Sequence, residues 1–123
     1  MSANDVQFFF TLREQIKLYH WQTTEYSRHK ATDAVIAELD ESIDKYVEVY
    51  IGKYGRPKMS SRTNTVQVKN LTEKNAVQFV KICIGVLINV LPKNLKKTDT
   101  DLLNIRDEML AALNQLLYLF TLH

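Results

Sequence analysis

The chain has almost nothing in it that would interrupt a helix. Its 123 residues include two prolines and three glycines. Both prolines, Pro57 and Pro92, follow long segments in which apolar residues recur every three or four positions. Proline ends helices because it lacks an amide hydrogen and clashes with the preceding turn. Folds built from many short strands need more glycine and proline for their turns. The sequence therefore predicts an all-α fold made of a few long helices.

Four segments carry the helical repeat, at about residues 5–23, 27–54, 73–91 and 99–121. The second is the longest and would span ~40 Å. It ends at Gly55, a residue type that suits the end of a helix. Residues 56–71 form a polar link that contains basic residues and no acid. We expect one domain over residues 1–123, a ferritin-like four-helix bundle with a long link between helices two and three.

Composition excludes several classes of protein. Hydrophobic residues make up 46% of the chain and charged residues 24%, which excludes wholesale disorder. Cys83 has no second cysteine with which to form an internal disulfide. With no recognisable signal peptide, this favours a cytoplasmic or otherwise intracellular protein. We expect Cys83 to be a buried, inert thiol.

The third helix is apolar nearly all round, so we expect it to be buried on most sides. Its apolar run over residues 76–91 is shorter than ~18 residues and contains Lys81, which argues against a membrane span. The net charge of +2 is too small to indicate nucleic acid. The basic link and a patch at residues 93–97 are short and lack interleaved aromatic residues. The link is therefore predicted to be a solvated crossover, with DNA or phosphate binding as the minority interpretation.

Four polar residues of the second helix share one face, which overlaps the edge of the apolar stripe: His29, Asp33, Asp44 and Glu48. On a helical wheel they fall within about 100° of one another. An ordinary solvated face would lie opposite the stripe. His29 is four residues from Asp33, as Asp44 is from Glu48, so the side chains of each pair converge. Imidazole and carboxylate groups are ligands that suit divalent iron.

The two pairs lie ~16 Å apart along the helix axis, which is too far for both to hold one metal ion. Two copies of the helix, packed antiparallel about a two-fold axis, would bring His29 and Asp33 of one chain to the acidic pair of the other. Such a dimer has two equivalent sites. His20 points inward from the first helix and can complete the nitrogen ligands. The pattern predicts a metal site shared across a two-fold dimer.

Each of these residues also has a plainer interpretation. A histidine on an apolar stripe is usually a hydrogen-bonded core residue. The acidic pair also fits half of a surface ion-pair face, with Lys45 and Lys53 as the cations. The metal site is favoured by the combination of residues and not by any one of them.

The order of these residues resembles the ferroxidase pattern of the Dps-type mini-ferritins. In that family a His-Trp dipeptide on the first helix precedes His-x3-Asp, ten residues and Asp-x3-Glu on the second. The matching residues are His20, Trp21, His29, Asp33, Asp44 and Glu48. Gly55-Arg56-Pro57 is similar to the family's Gly-Gly-x-Pro ending. His29 follows His20 by nine residues, about three fewer than is usual there. The similarity covers roughly residues 12–57.

The resemblance implies a ferroxidase that oxidises Fe²⁺ with peroxide or oxygen. The catalytic site and its iron ligands would be His20, His29, Asp33, Asp44 and Glu48, with Trp21 beside them. The family's site is shared between two subunits, and its dodecameric cage stores iron and protects DNA from oxidative damage. The alternative is a non-enzymatic, ferritin-like bundle that serves as a dimeric binding or structural module. Residues 19–57 are also similar to uncharacterised small proteins of large DNA viruses.

Overall fold

A computed structural model describes residues 2–123 of the chain. It contains four α-helices: α1 is Ala3–Gln22, α2 is Tyr26–Tyr54, α3 is Glu73–Asn89 and α4 is Thr100–Leu119. A short 3₁₀ helix covers Leu91–Asn94. Residues 2–123 contain no β-strand. The predicted all-α four-helix bundle, with its long link between α2 and α3, is confirmed.

Contacts between helix ends give the direction of each helix. The end of α1 meets the start of α3, where Thr23 donates a hydrogen bond of 2.9 Å to Glu73. The start of α2 meets the end of α4 through a bond from Arg28 to the Phe120 carbonyl. The end of α2 meets the start of α4, since Lys53 Nζ lies 2.9 Å from an Asp99 oxygen. Thus α1 and α4 run one way, α2 and α3 run the other, and the link crosses the length of the bundle.

The apolar faces of the helices form one core along the bundle. α2 packs against both α1 and α4, and α3 packs on α4 and on the 3₁₀ helix. Wholly buried side chains include Leu12, Leu39, Leu87, Leu102, Met109 and Leu113. Each contributes roughly 1.5–3 kcal/mol through the apolar surface that it buries. Cys83 lies in the same core, and burial raises the pKa of its thiol to about 12. The expectation of a buried, unreactive thiol agrees with this.

The expectation that α3 is buried on most sides is wrong for a single copy of the chain. Ile82 is 65% exposed and Ile88 is 50% exposed. The reason is that α3 lies against α4 at one side of the bundle, so its far face stays open. By length and composition alone, Glu73–Asn94 could cross a membrane, although core helices of soluble proteins pass the same test. Its most apolar window is 28% buried in the bundle.

The link follows α1 closely instead of crossing as a free loop. Gln15 is buried, and its side-chain amide donates to the Lys69 carbonyl at 2.7 Å and accepts from the Lys69 amide at 2.8 Å. Nearer the start of α1, Gln7 donates to the carbonyl of Thr65 at 2.8 Å. Two glutamines of α1 thus hold the last part of the link along the helix, although most of its side chains remain exposed.

We expect Gln15→Ala to loosen the link, because it leaves both backbone groups of Lys69 without their partner. Loss of such bonds should lower the free energy of unfolding by about 1–3 kcal/mol. Limited proteolysis should then cut within residues 56–71 faster than in the wild type. Gln7→Ala removes one exposed hydrogen bond and is the matched control. It should have a smaller effect on the free energy of unfolding and on the rate of proteolysis. Equal effects of the two variants would show that Gln15 does not anchor the link.

Asp99 joins the end of α2 to the start of α4. Its carboxylate is buried and accepts hydrogen bonds from Tyr54 Oη at 2.6 Å and from the Lys96 amide at 2.8 Å. Lys53 Nζ lies against the same group. These contacts, with the Tyr54 bond the largest, favour the ionised form and lower the pKa of Asp99 to about 2.

The lowered pKa predicts how stability depends on pH. Because the ordinary value is 3.8, ionised Asp99 stabilises the fold fully above about pH 4 and loses this contribution as the pH falls toward 2. Asp99→Asn should lower the Tm at pH 7 and flatten the decline in Tm between pH 4 and 2. Calorimetry across this range makes the measurement, with Glu108→Gln on exposed α4 surface as the control. If the Tm of Asp99→Asn falls as steeply between pH 4 and 2 as the Tm of the control, Asp99 does not cause the acid-dependent loss of stability.

Candidate metal centre

His20 and His29 come together where α1 turns into α2. Their rings stack with centroids 4.0 Å apart and planes 14° from parallel. His20 is 6% exposed, in agreement with its place on the apolar stripe of α1. His29 is half-buried beside it. The nine-residue spacing therefore places both imidazoles side by side.

Hydrogen bonds determine which nitrogen of each ring carries the hydrogen. His29 Nδ1 lies 2.9 Å from the backbone carbonyl oxygen of His20, which can only accept. His20 Nδ1 lies 2.9 Å from Thr32 Oγ1, whose own hydrogen goes to the Arg28 carbonyl at 2.7 Å. Both Nδ1 atoms are therefore donors. In the neutral rings the lone pair is left on Nε2.

The Nε2 atoms of both histidines form no hydrogen bond with the described part of the chain. Metal-binding histidines usually donate from their other nitrogen to a carbonyl, carboxylate or water, which fixes the ring. In the described part of the chain, no buried side-chain nitrogen or oxygen lacks a hydrogen-bond partner. His20 Nε2 has no partner among these residues, so it must retain contact with solvent. The two rings are thus oriented by their Nδ1 hydrogen bonds, and each Nε2 is left without a partner among these residues.

Asp33, Asp44 and Glu48 are exposed on α2. Among residues 2–123, none of the three forms an ion pair. The ion-pair alternative is not supported, because Lys53 pairs with Asp99 and Asp101 at the end of the bundle. Three carboxylates therefore lie on α2 without a cation among the described residues, Asp33 one turn from His29 and the other two further along the helix.

One copy of the chain holds the predicted ligands in two separate halves. His20 and His29 lie together with Asp33 one turn further along α2, while Asp44 and Glu48 lie ~16 Å away along the helix. No group of three or more His, Cys, Asp or Glu side chains suited to a metal ion is found within residues 2–123. The structure thus does not unite the five residues within one chain.

Two further residues bear on this region. Trp21 is 68% exposed next to His20, and Lys17 Nζ lies 5.3 Å from the centre of its ring. Thr32 is wholly buried and orients His20, a role that the periodicity of α2 does not reveal. The sequence signal for this role is that Thr32 lies within a helix, on its buried side and three residues after His29.

Comparison with known proteins places the chain in a family. A family of unknown function, DUF5856, matches residues 20–120. The chain belongs to this family. A stretch of 37 residues is 49% identical to an uncharacterized 14.6 kDa protein of the mobD-ri intergenic region of enterobacteria phage T4. That stretch covers 30% of this chain and 29% of the phage protein. No solved structure matches the chain. The family match begins at His20 and includes all five candidate ligands.

The hydrogen bonds predict a specific tautomer for each ring, with the hydrogen on Nδ1. Long-range ¹⁵N–¹H correlation spectra of the neutral rings should show this pattern for His20 and His29. Thr32→Val removes the acceptor of His20, so that ring should lose its preference while His29 keeps it. Affinity for Zn²⁺, used as a redox-inert probe, should fall about 10–100-fold.

Thr11→Val is the matched control, because Thr11 bonds to the Gln7 carbonyl within α1 and lies far from both rings. It should leave both tautomers unchanged. Finding the hydrogen of His20 on Nε2 in the wild-type protein would refute the assigned geometry.

Proposed function

We propose that the chain is an iron-binding ferroxidase whose site is shared by two copies about a two-fold axis. The main support is the stacked pair of histidines with free Nε2 atoms, on a helix whose nearby carboxylates have no cation. The motif's resemblance to mini-ferritins supports the same reading. So does the long crossover between parallel α2 and α3, since ferritin-like folds have one such connection.

The dimer would pack α2 against its symmetry mate in the antiparallel direction, with the axis near residues 38–39. His20, His29 and Asp33 of one chain would then face the acidic pair of its partner. Near the axis, α2 presents the exposed small residues Ala34 and Ala37. Small side chains allow two helices to approach closely, because the interaxial distance depends on the side chains at the contact.

Fe²⁺ is the substrate in this proposal. Imidazole nitrogens and carboxylate oxygens would hold it, and the anionic ligands favour Fe³⁺ because the attraction grows with the charge of the ion. Two Fe²⁺ ions would each give one electron to peroxide. Its O–O bond breaks, and two protons are taken up to leave two molecules of water. Storage of the oxidised iron and protection of DNA would require a closed cage, which native mass spectrometry would detect.

The alternative function is a dimeric binding or structural module without oxidase activity. It is favoured by the open apolar face of α3, where Ile82, Ile88 and Val90 are exposed. Such a module would form the dimer in sedimentation experiments, yet show no growth of absorbance when Fe²⁺ and peroxide are added. That result would decide for the module.

A mixing experiment tests whether the site is shared. Asp33→Ala and Glu48→Ala should each abolish iron oxidation, because each removes an oxygen ligand from both sites of its homodimer. After subunit exchange, about half of the dimers contain one chain of each kind. In those dimers one site has all its ligands, and the other site lacks both Asp33 and Glu48. Activity should return to roughly a quarter of the wild-type rate if the sites act independently.

The control is a pair of exposed acids on α4, Asp107→Ala and Glu108→Ala, which should each keep wild-type activity. Mass spectrometry should verify that the subunits have exchanged. If exchange is complete and activity stays at the level of the parent variants, the site is not shared between chains and the proposal fails.

A further inference from the structure

An open groove lies between α1 and α2 on the face that carries Asp44. We call it the α1–α2 groove; its volume is about 570 Å³. Its apolar lining consists of Val6, Phe9, Phe10, Ile43, Val47 and Pro57. Arg13, Asp40 and Asp44 also border it. Volumes of about 300–1,000 Å³ are typical of sites that bury an apolar group.

The same side of α1 presents large apolar side chains to solvent. Phe10 and Trp21 are both largely exposed, and Lys17 lies between them on one stripe of the helix. Phe10 and Trp21 are eleven residues apart, about 16 Å along the helix, and lie on the same face of α1. The groove and Trp21 therefore belong to one surface, at opposite ends of it.

Contacts between α1 and α2 show that Trp21 cannot fill the groove of its own chain. Near the start of α1, the rings of Phe9 and Tyr46 meet at 5.5 Å between centroids. Near its end, His20 bonds to Thr32. Trp21 thus lies at about the level of Thr32, roughly 12–22 Å along the axis from the residues of α2 that line the groove.

A two-fold axis removes this separation. In the antiparallel pairing on which the proposed function rests, position 32 of one α2 lies opposite about position 45 of the other. We infer that Trp21 of each protomer fills the α1–α2 groove of its partner. The two contacts are equivalent and lie on either side of the axis. Each would seat an indole ring beside Asp44.

Charge complementarity favours a second copy of the chain as the occupant. The end of the surface near Trp21 carries Lys17 and the exposed Lys30. The end near the groove carries Asp40, Asp44 and Glu48. Antiparallel pairing sets Lys17 and Lys30 of one copy, with Asp33 between the helices, near Asp44 and Glu48 of the other. Parallel pairing would set the acidic end of one copy against the acidic end of the other. Asp40 pairs with Arg13 of its own chain, so a small apolar ligand in the groove would leave Asp44 and Glu48 without partners.

Fluorescence gives a direct test, because Trp21 is the single tryptophan of the chain. Its emission should shift to shorter wavelength as the protein is concentrated, in step with dimer formation measured by sedimentation. Val47→Asp places a charge in the groove and should abolish both changes. Ile82→Asp on the open face of α3 is the matched control and should keep them. Circular dichroism should verify that both variants are folded.

Disulfide trapping tests the same contact without relying on stability. In Trp21→Cys/Val47→Cys, the two cysteines of one chain are ~20 Å apart along the bundle. That exceeds the Cα–Cα reach of a disulfide, about 7 Å. Oxidation should therefore yield a covalent dimer. Neither single variant should give a covalent dimer, and Trp21→Cys/Ile82→Cys should not give one either. The native Cys83 does not interfere, because it is buried.

The outcomes separate this inference from the proposed function. If the dimer forms and exchange restores activity, but Trp21 stays in solvent and no disulfide forms, the inference is overturned and the shared site stands. If Trp21 shifts and the disulfide forms without any iron oxidation, the groove contact stands and the ferroxidase proposal fails. A blue-shifted tryptophan in a monomer would overturn the inference, since the groove would then have another occupant.

Discussion

Arg28 donates hydrogen bonds to three other helices, and the closure of the bundle depends on them. One nitrogen of its guanidinium donates to Tyr19 Oη at 2.9 Å and to the Glu73 carbonyl at 2.7 Å, and another donates to the Phe120 carbonyl at 3.3 Å. The group also lies over the Phe120 ring. The Phe120 carbonyl, at the end of α4, has no partner within that helix, so a planar group with five donors suits this junction. His29 follows directly in the sequence, and the anchor that joins the helices also sets the start of the candidate site.

From this junction, two hydrogen bonds between helices orient the histidines. Thr32 lies one turn after Arg28, donates to its carbonyl and accepts from His20. In return, the backbone of His20 accepts from His29. Both imidazoles are therefore held in place by bonds within one chain. The acidic half needs no such support, because exposed carboxylates are solvated by water until a cation or a partner chain displaces it.

The helices and the faces on which the candidate ligands lie could be predicted from sequence because both follow from the helical period. The stripe of α1 turns His20 inward, and spacings of four residues pair His29 with Asp33 on α2. The path of the link could not be predicted, because it depends on a polar side chain, Gln15, that is buried against backbone groups 54 residues away. The open face of α3 could not be predicted either. An apolar helix has the same sequence pattern whether it is covered by its own chain or by another.

Association and metal binding must be linked in the proposed dimer. Pairing the halves sets Asp33 of one chain near Asp44 and Glu48 of the other, so three carboxylates meet where none has a cation within its own chain. Without a metal ion their repulsion opposes association, while Lys30 and the inferred contact of Trp21 in the α1–α2 groove favour it. A divalent cation converts the same charges into ligands. Because it binds the dimer and not either half alone, it shifts the equilibrium toward the dimer by mass action. By reciprocity, whatever stabilises the dimer, Trp21 included, strengthens metal binding by the same factor.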